Sequence, residues 1–130
     1  MTIFNALGVA GTGVTLHRKW LDAVSDNIAN IDNVTSTSDN AFQARYVLAR
    51  EAHDGNGTEV AGTALGNAEG RVVFEPNHPL ADAEGNVRYP DIDLGDQMAQ
   101  LIMAQRAYQA NLSVVDRARD TYNAAIQLGR

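Results

Sequence analysis

Ile3 to Ile31 reads IFNALGVAGTGVTLHRKWLDAVSDNIANI, and its apolar residues carry the argument for the fold. Leu7, Ala10, Val14, His17, Leu21, Val24, Ile28 and Ile31 alternate spacings of three and four, a heptad seam with one polar member. This predicts an amphipathic helix over residues 3–31. The turn-forming run Asn30-Ile31-Asp32-Asn33-Val34-Thr35-Ser36-Thr37-Ser38-Asp39-Asn40 then stops it and supplies a linker.

The same alternation returns at the other end of the chain. Met98, Leu101, Gln105, Tyr108, Leu112, Val115, Arg119, Tyr122 and Ile126 form a second stripe, widened by Ile102, Ala104, Ala118 and Ala125. A helix over residues 94–128 follows, with Asp93 as its N-cap, Asp96 in its first turn and Gly129 at the C′ position. His17, Gln105 and Arg119 take seam positions where they either fix register or face solvent.

Between the helices, Phe42, Ala44, Tyr46 and Leu48 alternate with Gln43, Arg45, Val47 and Ala49, the pattern of a strand with one covered face. Residues 71–75 and 86–89 are short strand candidates, and residues 82–86 form the turn before the second. Asp54-Gly55-Asn56-Gly57 and Leu65-Gly66-Asn67 mark turns. The expected fold is mainly α: long N- and C-terminal helices packed as an antiparallel coiled-coil pair, with a small β hairpin or β element from the centre. Its parts are an N-terminal heptad helix in 1–35, a central linker and β element in 36–90, and a C-terminal heptad helix in 91–130.

Gly8, Gly11 and Gly13 fall inside the first helix, where each costs about 1 kcal/mol relative to Ala. Such a helix is expected to fray alone and to suit close backbone packing in a crowded assembly. An ordinary helical hairpin that tolerates the glycines is the plainer alternative.

Composition removes several function classes. Aromatics are only 6% of the 130 residues, so the interior rests on Leu, Ile, Val and Ala in helix seams. A net charge of -6, most of it in residues 39–90 (4 basic against 8 acidic), leaves no basic face for nucleic acid or anionic lipid. There is no Cys, hence no disulfide, thiolate nucleophile or Cys-based zinc site. The opening residues lack a positive n-region, and Gly11 and Gly13 interrupt any h-region, so no cleavable signal peptide is expected.

Chemistry-bearing motifs fare no better. His17, His53 and His78 show no HxxH, HxxxH or HExxH spacing and fall in different elements, which argues against a metal site. Gly11-Thr12-Gly13 lacks the strand and third glycine of a dinucleotide turn. Asp91 and Asp93 flank a helix start, where capping accounts for them. Asn33, Asn56 and Asn111 open incidental N-x-S/T matches. No catalytic residue, cofactor or small-molecule substrate is expected; the best seat for an enzyme would be His78 with Glu75, Asp82 and Glu84.

Several stretches resemble the rod and hook family of the bacterial flagellum. Leu21-Asp22-Ala23-Val24-Ser25-Asp26-Asn27-Ile28-Ala29-Asn30 followed by Thr35 is similar to the family's N-terminal signature. Residues 73–79 and 81–94 resemble the segment before the last helix of its proximal-rod type. Gln105-Arg106-Ala107-Tyr108-Gln109-Ala110-Asn111 resembles the C-terminal motif, and Leu128-Gly129-Arg130 the customary ending. Residues 32–70 match only loosely.

The resemblance implies a structural subunit that leaves the cytoplasm through the flagellar type III export apparatus without a cleaved signal. It implies assembly in the periplasm into the proximal rod, with other rod proteins and copies of itself as partners. The assembly seam would be Leu7, Val14, Leu21, Val24, Ile28 and Ile31 with Met98, Leu101, Ile102, Tyr108, Leu112, Val115, Tyr122 and Ile126. A soluble coiled-coil adaptor or chaperone closing into a small oligomer is the competing reading.

Overall fold

The computed structural model describes residues 2–129; Met1 and Arg130, the last residue of the closing motif, lie outside the described residues. Its elements are α1 (Ile3–Ala29), β1 (Arg45–Glu51), β2 (Thr58–Leu65), β3 (Arg71–Phe74), β4 (Asn86–Tyr89) and α2 (Leu94–Leu128). At 27 and 35 residues the helices run about 40 and 50 Å.

α1 ends two residues before the expected Ile31. The Asn30 amide is shared between the carbonyls of Asp26 and Asn27, and the Ile31 amide bonds to Ile28, so the last turn tightens and stops. α2 starts where Asp93 caps it: Asp93 Oδ1 accepts the Asp96 amide at 2.8 Å, and the Asp93 carbonyl accepts the Gln97 amide at 3.1 Å. At its other end the Gly129 amide closes a turn onto the Ile126 carbonyl at 3.3 Å, without left-handed backbone at Gly129.

The central segment forms two separate two-stranded sheets where one small element was expected. β3 and β4 pair antiparallel in the register Arg71 with Tyr89 through Phe74 with Asn86. β1 pairs with β2, and β2 is a strand that the sequence reading left as unspecified chain between two turns. Glu59, Ala61 and Gly62 are weak strand formers, so β2 rests on its partner rather than on propensity. The covered face of β1 is the one that carries Val47. Tyr46 and Leu48 are exposed and Val47 is half-buried, because Val47 and Ala49 look onto an apolar cleft with Leu16, His17 and Trp20 of α1.

Two compact units are distinguished. One comprises residues 1–21, 47–62 and 102–130, the other residues 22–46 and 63–101. In the first, the Phe4 and Tyr122 rings meet edge-on at 5.5 Å and buried Gly13 lies against Asn111. In the second, the fully buried side chains include Val24, Asn27, Val87 and Pro90. Each unit therefore draws on both terminal helices, which pack against each other.

Candidate assembly site

The seam of α1 turns inward as its spacing predicts. Ala10 and Val24 are buried, and Leu7, Val14, His17, Leu21, Ile28 and Ile31 are half-buried. α2 departs from expectation by one residue at every second seam position. Leu101, Tyr108 and Val115 are half-buried, but their seam companions are Gln97, Ala104, Asn111 and Ala118 rather than Met98, Gln105, Leu112 and Arg119. Both choices keep the alternation of three and four, so the spacing cannot separate them. Small and amide side chains take the inner positions because the helices approach closely: a Cβ added to Gly13 would lie 2.6 Å from Asn111 Oδ1.

This displacement leaves large apolar side chains outside. Met98 (45%), Ile102 (48%) and Leu112 (41%) are exposed, as are Tyr122 and Ile126 further along α2. Gln105 and Arg119 are exposed in the single chain, whereas His17 is half-buried with Nδ1 2.7 Å from the Gly13 carbonyl. Of the three helix glycines, only Gly13 meets a close neighbour within the chain. Space opposite Gly8 and Gly11 is open within the single chain.

The signature residues converge on polar networks that sequence spacing does not reveal. Asn27, fully buried, presents its carboxamide edge-on to the backbone of Arg45: Oδ1 accepts the Arg45 amide at 2.7 Å, and Nδ2 donates to the Arg45 carbonyl at 3.0 Å. Nδ2 also donates to Gln97 Oε1 at 3.0 Å, so one side chain joins α1, the start of β1 and α2. Asn30 Nδ2 donates back to the Asp26 carbonyl. Thr35 forms an antiparallel bridge with Arg88 through amide–carbonyl bonds of 2.9 and 3.0 Å. In the C-terminal motif, Asn111 donates to the Ala107 carbonyl and lies 3.4 Å from His17 Nδ1, while Ala107 and Tyr108 are half-buried and Arg106 and Ala110 are exposed.

Arg88 holds the linker in place, a role that its position in the sequence does not reveal. Its guanidinium donates to the Thr37 carbonyl at 2.8 Å and also to the Glu69 carbonyl, clamping the linker to β4.

The residues offered as an enzyme's best seat are engaged in turns. Asp82 Oδ1 accepts the Asn86 amide at 2.8 Å and the Glu84 amide at 3.1 Å, and Oδ2 accepts from Thr37 Oγ1 at 2.8 Å. These donors, the Asn86 amide first and the Thr37 hydroxyl next, hold the Asp82 carboxyl below its usual range. Glu75 accepts the Tyr89 hydroxyl, which pushes the Tyr89 phenol up, and His78 Nδ1 accepts the Leu80 amide. Among the described residues no three His, Asp or Glu side chains are placed to hold a metal ion, and no helix is long and apolar enough to cross a membrane.

The Asp82 arrangement has a pH signature. Its donors bind the anion, so their stabilisation is complete above the ordinary carboxylate pKa and is lost as pH falls through the lowered folded value. Thermal unfolding followed across acid pH is expected to show that loss in the native chain and a smaller one in Asp82→Asn.

Residues 83–128 match the flagellar basal body rod FlgEFG protein C-terminal family. Over its whole length the chain is 32% identical to the flagellar basal-body rod protein FlgC of Yersinia enterocolitica, all of which is covered. The chain belongs to the FlgC family. Likeness to FlgC of Salmonella typhimurium is 31%, and to FlgC of Bacillus subtilis 25%, again with both chains fully covered. A FlgC-family chain is a structural subunit of the flagellar basal-body rod, and the soluble adaptor reading finds no support. The amide networks at Asn27 and Asn111 and the exposed stripe of α2 are thus features of a rod subunit.

Proposed function

We propose that this chain builds the proximal part of the rod by covering its exposed α2 stripe with neighbouring subunits, so that torque passes through helix packing and no catalytic step is involved. The carrying observation is the apolar row Met98, Ile102 and Leu112, left outside by the inner seam of α2. Contacts that join unlike surfaces and do not close extend into tubes, the geometry a rod requires.

Residues 1–35 and 91–130 act together as the rod core, with 36–90 as an attached β part. The two helices pair as an antiparallel coiled coil. In support, Phe4 meets Tyr122 and Gly13 meets Asn111, so partners descend along α2 as they ascend along α1. Open space at Gly8 and Gly11 suits close approach by a neighbour's backbone. Partners are other rod proteins, further copies of the chain, and the flagellar type III export apparatus that delivers it, without a cleaved signal, to the periplasm.

Ile102→Asp and Leu112→Asp test the proposal. Because both positions are exposed in the single chain, each variant is expected to fold with stability within about 0.5 kcal/mol of the parent. Incorporation into basal bodies and motility are expected to be lost, since each carboxylate would be buried unpaired in an assembled seam. Basal bodies that take up the variants normally would refute the role given to this stripe.

A further inference from the structure

We infer that Asn56 is a site of spontaneous deamidation, and that its conversion to isoaspartate frees the tip of the β1–β2 hairpin from α1. Asn56 and Gly57 form the sole Asn-Gly pair in the chain, and they sit in the connection between β1 and β2. Asn56 is exposed and its neighbours Gly55 and Gly57 both have left-handed backbone, at φ 69° and 104°. Among the described residues no acceptor takes the Gly57 N–H, so that nitrogen is free to react. Among the described residues Asn56 is held only by Asp54, its amide donating to Oδ1 at 3.0 Å and Nδ2 to the carbonyl at 3.2 Å.

The chemistry needs only water. The Gly57 nitrogen loses its proton to hydroxide and attacks Asn56 Cγ; the Cγ–Nδ2 bond breaks and ammonia departs, leaving a cyclic imide. Water then opens the imide at either carbonyl, giving aspartate or isoaspartate. Glycine favours the step because no Cβ hinders the attacking nitrogen. Each event replaces –NH2 by –O⁻ and adds one negative charge to a chain that already carries -6.

The location gives the modification a consequence. Gly57 packs so closely on Thr12 of α1 that an added Cβ would collide with the hydroxyl, and Thr12 Oγ1 accepts the Thr58 amide at 3.1 Å. Isoaspartate inserts a methylene into the backbone beside this contact. The tip can no longer hold both the turn and the Thr12 bond.

The test is to incubate the purified full chain at mildly alkaline pH, folded and in urea, and to map peptides by mass with isoaspartyl methylation. Asn56 is expected to convert first, ahead of Asn33 and Asn67, at a folded-chain rate within severalfold of the unfolded one. Asn56→Gln should remove the product. In the isoaspartyl form the Thr58 amide is expected to exchange about tenfold faster, as loss of one hydrogen bond predicts. Folded chain that keeps Asn56 intact while unfolded chain converts would overturn the site, and unchanged Thr58 exchange would overturn its effect.

Discussion

Asn27→Leu is expected to destabilise the chain by about 3 kcal/mol or more, among the largest losses from any single side chain. The substitution puts a bulkier apolar side chain into a fully buried site and strands three partners: the part-buried amide and carbonyl of Arg45 and the buried Oε1 of Gln97. Each unsatisfied buried group costs about 1–3 kcal/mol, more than its hydrogen bond contributes when made. Urea unfolding measures the loss. The double variant Asn27→Leu with Gln97→Leu is expected to recover part of it, because Gln97 then needs no partner. The ion pair of Arg45 with Asp26 at 2.7 Å does not substitute for the network, since both side chains are about half exposed and such pairs contribute about 0–1 kcal/mol. Equal stability of Asn27→Leu and the native chain would show that this amide merely fills space.

Ala104→Asp and Gln105→Asp form the second experiment, and the one-residue displacement of the α2 seam sets its outcome. Ala104 has no exposed surface, so an aspartate there buries an unpaired carboxylate and is expected to cost several kcal/mol, enough to lose cooperative unfolding near room temperature. Gln105 is exposed, and Gln105→Asp is expected to change stability by about 0.5 kcal/mol or less. Circular dichroism of both variants reads the difference directly. Had the sequence-derived seam been the inner one, the two results would be exchanged. The pair also separates folding from assembly: Ala104→Asp loses the rod because it loses the chain, whereas Ile102→Asp loses the rod with the chain intact.

Much of the molecule follows from local chemistry. The heptad spacing of residues 7–31, the Asp93 cap and the turns at 54–57 and 82–86 all rest on interactions within a few residues, and they form where their residues stand. β3 and β4 are legible for the same reason, being short alternating segments next to a strong turn. β2 is not, because Thr58–Leu65 carries little strand propensity and its existence depends on pairing with β1. The covered side of β1 is similarly non-local: Val47 lies toward Leu16 and Trp20 because of where α1 is, which alternation alone does not encode.

The same division holds for the site. Composition and periodicity mark both helix stripes and remove thiol and dinucleotide chemistry; the resemblance to flagellar rod proteins rests on the motifs themselves. They do not say which of two adjacent seams on α2 turns inward. Hydrophobicity favours Met98 and Leu112, but a single helix pair that packs Gly13 against Asn111 and buries Ala104 leaves no room for those side chains. Their role in the folded chain is then set by exposure. Sequence by itself determined the two amphipathic ends, the Asp93 cap and the family, since these depend on residue order along one strand of chain. Tertiary structure decided the inner register of α2, the partners of Asn27 and the outward apolar stripe, because each depends on how closely two distant segments approach.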